Sequence, residues 1–172
     1  MAYAFYTPDG DGFLATELTR GPWDERSQHA GPPCALLGRA LDRAGAIAGA
    51  QVVRVTYEIV RPVPIARLET LTEIVRPGRN VELVEGELLH DGEAVIRARA
   101  WRIRTADVEI DRAPPEPAAI PGPDSAAKQS FFPVPWDVGY HTAMEVRFVD
   151  GGFVEPGPAR AWMRMRVPLV EG

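Results

Sequence analysis

The sequence contains only one cysteine, Cys34. A single cysteine excludes an internal disulfide and a cysteine-rich metal site, and no other spacing in the chain suits a metal. The beginning of the chain lacks the basic start and apolar core of an export signal, and no apolar run approaches the roughly 18 residues that cross a bilayer. From these absences we expect a cytoplasmic protein that binds neither a metal nor a membrane.

The chain has no run of like-charged residues. Of the 172 residues 45% are hydrophobic and 25% are charged, and the net charge is −5. The arginines are scattered along the predicted strands instead of forming a basic patch, so nucleic acid is not an expected partner. The apolar content is sufficient for one substantial core.

A helix is predicted to begin at Gly31. Pro32 and Pro33 fit its first turn, where a missing N–H breaks no helical hydrogen bond. Gly49 is the expected stop. Between them one apolar stripe recurs at helical spacing, formed by Cys34, Leu37, Leu41, Ala44 and Ala48.

Strands are predicted on both sides of this helix. A hairpin over residues 3–6 and 13–19 precedes it, and four strands at about 51–62, 66–76, 80–90 and 93–104 follow it. A two-residue turn at Asp91-Gly92 would pair Leu88 with Val95. In that register a small-residue face on which the helix could lie combines Ala94, Ala98 and Ala100 with Leu83, Leu89 and Ile96. The fold class is therefore α+β, a helix packed on an antiparallel sheet.

The periodic pattern stops after the fourth strand. Residues 1–111 form a complete domain in this interpretation, and residues 112–140 are a proline-rich linker. Residues 141–172 contain two further strands, at about 142–149 and 160–169, which repeat the strand–turn–strand opening of the first domain. We interpret them as the first two strands of a second, incomplete domain.

Three segments resemble the acyl-CoA thioesterase II-like proteins, which have a double hot-dog fold. The segments are GPWDERSQHAGPPCALLGRAL, RVTYEIVRPVPIARLETLTEIVRPGRNVELVEGELLHDGEAVIRARAWRIR and FVDGGFVEPGPARAWMRMRVPLV. The resemblance implies a central helix wrapped by a sheet, an acyl-CoA substrate and hydrolysis by an activated water, with no cofactor beyond the coenzyme A of the substrate. It also implies that the main catalytic carboxylate lies in the later part of a second hot-dog, which this sequence does not contain.

His29 is the candidate catalytic residue, because it stands immediately before the electropositive helix start. There it could orient a water or meet a thioester oxygen; the alternative is a loop histidine bonded to nearby backbone. Substrate binding is assigned to the adjacent Ala30, Gly31, Cys34 and Ala35, of which the last three are potential N–H donors to an oxyanion. Cys34 could also be a nucleophile, although its position on the apolar stripe favours a core role.

Other polar residues are weaker candidates. Glu85 and Glu87 fall on the alanine-rich face in the predicted register, where a buried acid could be a general base; a bulged register would instead expose them. Trp23 is expected to pack against the sheet. His141 precedes a predicted strand and has no visible partner in the sequence.

Three functions remain open at this point. The leading hypothesis is hydrolysis of acyl-CoA thioesters. The alternatives are an acyl or acyl-CoA binding module without turnover, and a hot-dog hydratase or dehydratase, which would need a histidine facing an acid. Because the second domain would expose strand edges and Met163 and Met165, we expect a homo-oligomer or a partner chain that completes it.

Overall fold

The structure is a computed structural model that describes residues 3–109, 119–129 and 132–172. Its helices are α1 (Gly31–Ala44) and the short α2 (Tyr140–Ala143), and a 3-10 turn at Glu17–Thr19 precedes α1. The strands are β1 (Tyr6–Asp9), β2 (Gly12–Ala15), β3 (Ala50–Ile59), β4 (Arg67–Arg76), β5 (Val81–His90), β6 (Glu93–Arg104), β7 (Ala127–Lys128), β8 (Met144–Asp150) and β9 (Arg160–Met165).

The first six strands form one antiparallel sheet in the order β1-β2-β4-β5-β6-β3. The helix α1 lies across β3 to β6. This confirms the predicted α+β arrangement of a helix on an antiparallel sheet. The strand β3 occupies the sheet edge beside β6, because the chain crosses the sheet after β3 instead of pairing it with β4.

The core lies between α1 and the sheet. Helix α1 contributes Leu36, Leu37 and Leu41, each at most 1% exposed. Each such side chain stabilises the fold by about 1.5–3 kcal/mol on burial. They pack against sheet residues that include Val84, Leu88, Ile96, Ala98 and Ala100.

The register of β5 against β6 differs from the predicted one by a single residue over most of its length. His90 pairs with Glu93 as expected, but a bulge at Val95 of β6, opposite Leu88 and Leu89, moves the partner of Leu88 from Val95 to Ile96. A shift of one residue exchanges the two faces of a strand. Leu83 therefore points away from α1, and the predicted face is wrong for that residue.

The helix ends at Ala44, four residues earlier than the stripe to Ala48 predicts. A β-carbon on Gly45 would coincide with the guanidinium of Arg102, which is buried in an ion pair with Glu82. The Glu82 carboxylate also accepts the N–H of Ala46 at 3.2 Å. The N–H of Ala46 would continue the helix if it bonded to a helix carbonyl, but the Glu82 carboxylate accepts it instead. The buried ion pair therefore ends α1, and the predicted stop at Gly49 is wrong.

The strands β7, β8 and β9 form a second sheet. The two strands predicted after residue 141 are present as β8 and β9, while β7 lies inside the predicted linker. Beyond β9 the chain runs beside β1, where Phe5 N–H donates to Pro168 O at 3.1 Å and Tyr6 N–H to Leu169 O at 3.0 Å. The predicted boundary at 111/112 lies outside the described residues, and the division into domains stays a prediction.

Two observations apply to the part of the chain that the structure describes. Neither helix there is long and apolar enough to cross a membrane. The same residues contain no group of three or more histidine, cysteine or acidic side chains that could hold a metal ion.

Candidate functional site: an aromatic cavity at the start of the helix

The loop that leads into α1 is tied to a segment more than a hundred residues later. Within the loop, His29 N–H donates to Thr19 O at 2.7 Å. Across to the later segment, Tyr140 N–H donates to Arg20 O at 3.0 Å, and Nη1 of Arg20 donates to Val138 O at 3.0 Å. These bonds hold α2 against the entrance of α1.

Three rings form a stack at this junction. The imidazole of His29 lies parallel to the phenol of Tyr140, with 3.9 Å between ring centroids and 5° between planes. On the other side Trp23 stacks on His29 at 5.9 Å and 13°. The expectation that Trp23 packs against the sheet is wrong: its side chain is 78% exposed and contacts the imidazole instead.

The protonation of His29 is constrained by its surroundings. Gly31 donates its backbone N–H to Nδ1 of His29 at 3.1 Å, which places the proton of the neutral ring on Nε2. Burial lowers the pKa of His29 below the ordinary histidine value. The ring is therefore neutral near pH 7, with a single N–H to donate.

A cavity of about 200 Å³ opens beside the stack. Its walls are largely aromatic and apolar, and they carry a second histidine, His141. Burial lowers the pKa of His141, while the nearby Asp137 carboxylate acts in the opposite direction. Among the described residues the walls comprise Arg20, Pro22, Trp23, His29, Phe132, Val134, Tyr140, His141, Phe153 and Met163.

A second, more polar cavity of about 590 Å³ adjoins the first. The two cavities share three wall residues, Phe132, Val134 and His141. The polar walls of the outer cavity include Gln129, Asp137, Thr142 and Arg166. His141 thus stands between an apolar compartment and a polar one.

The predicted substrate-binding residues lie at the start of α1, next to the cavity but outside its walls. Gly31 N–H is used by His29, and Cys34 N–H donates to Ala30 O at 3.1 Å, so neither points freely at an oxyanion. Ala35 is exposed on the helix surface. Their assignment to a substrate site, like that of His29 to catalysis, stays a prediction.

The remaining candidates are placed away from this cavity. Cys34 packs against the core, and burial raises the pKa of its thiol, which disfavours a nucleophilic thiolate. Because of the bulge in β6, the placement of Glu85 and Glu87 on the alanine-rich face is wrong. They lie on the outer face of the sheet and form ion pairs with Arg99 and Arg97 at 2.7 and 2.8 Å.

Sequence reasoning missed most of the cavity wall. Tyr140 and His141 stand next to each other in the chain, but only tertiary contact brings them to His29. Phe132, Phe153 and Met163 come from three further segments. The composition gave one hint of an aromatic wall, because aromatic residues flank the last prolines of the predicted linker. No spacing in the sequence, however, connects these residues with the loop before α1.

Comparisons with known proteins agree with this architecture. Residues 19–103 match a family model described as the acyl-CoA thioesterase N-terminal domain. A hot-dog-fold protein of unknown function from Alicyclobacillus acidocaldarius is similar, with a TM-score of 0.69 and 18% identity over 94% of this chain and 60% of that one. The predicted hot-dog fold is thereby confirmed. No curated protein sequence matches the chain at a significant level.

Two further solved structures show the same likeness. A proposed thioesterase of Novosphingobium aromaticivorans has a TM-score of 0.69 and 22% identity, over 96% of this chain and 66% of that one. A proposed thioesterase II of Thermobifida fusca has a TM-score of 0.61 and 19% identity, over 81% and 50%. The chain thus spans about half to two thirds of the length of these structures.

Proposed function

We propose that this chain, which has the hot-dog fold, binds acyl-CoA thioesters at the aromatic cavity and hydrolyses them. The observation that carries the proposal is the match of residues 19–103 to an acyl-CoA thioesterase domain, because this stretch includes His29 and all of α1. The cavity beside His29 offers apolar space for an acyl group next to two imidazoles. Coenzyme A enters as part of the substrate.

In the proposed reaction each histidine has one role. The Nε2–H of His29 donates a hydrogen bond to the thioester carbonyl oxygen, which gains negative charge as its carbon is attacked. His141 takes a proton from the attacking water. The new C–O bond forms, the C–S bond breaks, and the proton on His141 passes to the departing thiolate. The lowered pKa of His141 supports this role, since it keeps the ring neutral at pH 7.

Thiol release from a panel of acyl-CoAs tests the proposal on the 172-residue chain. We expect hydrolysis that falls by about 100-fold or more in His141→Gln, the usual range for loss of a general base. His90→Gln is the matched control, because His90 lies at the tip of the β5–β6 hairpin. A panel in which no acyl-CoA is either bound or hydrolysed would refute the proposal, and unchanged hydrolysis in His141→Gln would refute the role of His141.

A second candidate is an acyl-CoA binding module without turnover. The bonding of the Gly31 and Cys34 N–H groups favours it, because these groups cannot then stabilise an oxyanion. The described walls of the aromatic cavity also contain no carboxylate. Calorimetry decides between the two: binding of an acyl-CoA without thiol release supports the module, and turnover rules it out.

We also propose that β9 associates with a second copy of the chain. All six residues of β9 are exposed, and Met163 and Met165 are each 51% exposed. Unpaired strand edges with apolar side chains favour association. Light scattering that finds a monodisperse monomer would contradict this proposal.

A further inference from the structure

The aromatic cavity has walls that suit a flat ring better than a flexible chain. The wall includes the parallel rings of Trp23, His29 and Tyr140. It also includes Phe153, which contacts Phe132 edge-on, with 5.9 Å between centroids and 78° between planes. A planar aromatic group in this space finds both offset-stacking and edge-to-face partners.

The size of the cavity points the same way. Its volume is about 200 Å³, and an apolar cavity of about 150 Å³ is sufficient to hold a benzene ring. One ring with its carbonyl carbon therefore fits. A long straight acyl chain would have to leave the cavity and expose its further methylene groups to water, which gives up the hydrophobic stabilisation of their burial.

The neighbouring polar cavity accounts for the rest of such a molecule. It begins at the shared wall of Phe132, Val134 and His141, and its surface includes Gln129, Thr142 and Arg166. An amide-bearing thiol arm finds hydrogen-bond donors and acceptors there. A thioester that extends from one cavity into the other, past the shared wall residues, has its ring among the aromatic side chains and its carbonyl carbon beside His141.

We propose that the aromatic cavity is an acyl pocket selective for an aromatic acyl group, with the thioester at the wall shared by the two cavities. This inference rests on the proposed function, of which it names the substrate class. Met163 is a specificity-determining residue in it, because it is the residue of β9 that lines the cavity.

Binding measurements on the full chain test the inference with two esters of equal carbon number, benzoyl-CoA and heptanoyl-CoA. We expect benzoyl-CoA to bind about tenfold more tightly, the range that aromatic contacts supply beyond burial alone. In Met163→Trp the added indole fills the cavity and the preference should disappear. Met165→Trp is the matched control, since Met165 lies on the same strand, is equally exposed at 51%, and is not part of the wall.

Each outcome has one meaning. A preference for benzoyl-CoA that is lost in Met163→Trp and kept in Met165→Trp supports the inference. Equal or tighter binding of heptanoyl-CoA, or a preference that Met163→Trp leaves unchanged, overturns it and leaves the proposed function intact. If neither ester binds, the proposed function fails together with the inference.

Discussion

Gly31, the first residue of α1, donates its backbone N–H to Nδ1 of His29, two residues earlier, at 3.1 Å. A β-carbon on Gly31 would lie 3.1 Å from Nδ1 of His29 and 3.2 Å from the hydroxyl oxygen of Tyr140. Glycine at this position therefore permits the close approach of the His29 and Tyr140 rings, and its N–H fixes the orientation of the imidazole. The start of the helix acts on the cavity through His29 and not through free N–H groups.

The half-buried, neutral imidazole of His29 predicts a pH dependence of stability. Since burial lowers the pKa of His29 in the folded protein, the unfolded chain takes up the proton first as the pH falls through about 6.5. The contribution of neutral His29 to the free energy of unfolding is complete above about pH 6.5, and it is lost as the pH falls towards the lower pKa of the folded state. Urea unfolding between pH 7.5 and about 5 should show a falling free energy of unfolding.

The variant His29→Gln tests whether His29 causes the pH dependence of the free energy of unfolding. It should reduce the dependence on pH without abolishing it, because burial also lowers the pKa of His141. His90→Gln, outside the ring stack, should retain the slope of the unchanged chain. An identical slope in His29→Gln would show that this histidine is not the group that resists protonation.

Local sequence signals located α1 and the strands β3 to β6 but not the faces of those strands. The prolines after Gly31 located the helix start, and the Asp91-Gly92 turn located the β5–β6 hairpin. The bulge leaves Val95 of β6 without a partner opposite Leu88 and Leu89, and the continuous apolar run from Ala94 to Ile96 does not reveal it. One extra residue was then enough to place Glu85 on the wrong side of the sheet.

The end of α1 and the cavity depend on contacts between distant residues. Apolar spacing continues to Ala48, so no local signal reveals that Glu82 takes the N–H of Ala46. The cavity likewise requires Tyr140 to stack on His29 across more than a hundred residues of chain. Sequence reasoning found the one wall residue that lies beside a helix start and missed those that reach it through tertiary structure.

Removal of one charge from the buried ion pair should destabilise the fold strongly. The side chains of Glu82 and Arg102 are 1% and 7% exposed. In Glu82→Gln the buried Arg102 guanidinium stays charged and keeps only the exposed Asp42 carboxylate at 3.8 Å, so the loss of its buried partner costs about 3–5 kcal/mol. Urea unfolding at constant pH measures the difference.

Glu85→Gln is the control for this charge removal, because it changes the same strand on its opposite face. Glu85 pairs with Arg99 at 2.7 Å, and these side chains are 38% and 69% exposed. An exposed pair contributes at most about 1 kcal/mol. Equal losses in the two variants would contradict the assignment of Glu82 to a buried structural pair.

A side chain at Gly86 should destabilise the fold, since α1 packs directly on this glycine. A β-carbon there would lie 2.9 Å from Cδ2 of Leu41 and 3.1 Å from Cδ1 of Leu37. Gly86→Ala should therefore reduce the free energy of unfolding by about 1–3 kcal/mol, the usual cost of overpacking. Gly122→Ala, where nothing lies within 4 Å, should stay within about 0.5 kcal/mol of the unchanged chain. Because Leu41 is the nearest neighbour, a double-mutant cycle with Leu41→Val should show coupling between the two positions, and strict additivity would argue against this contact.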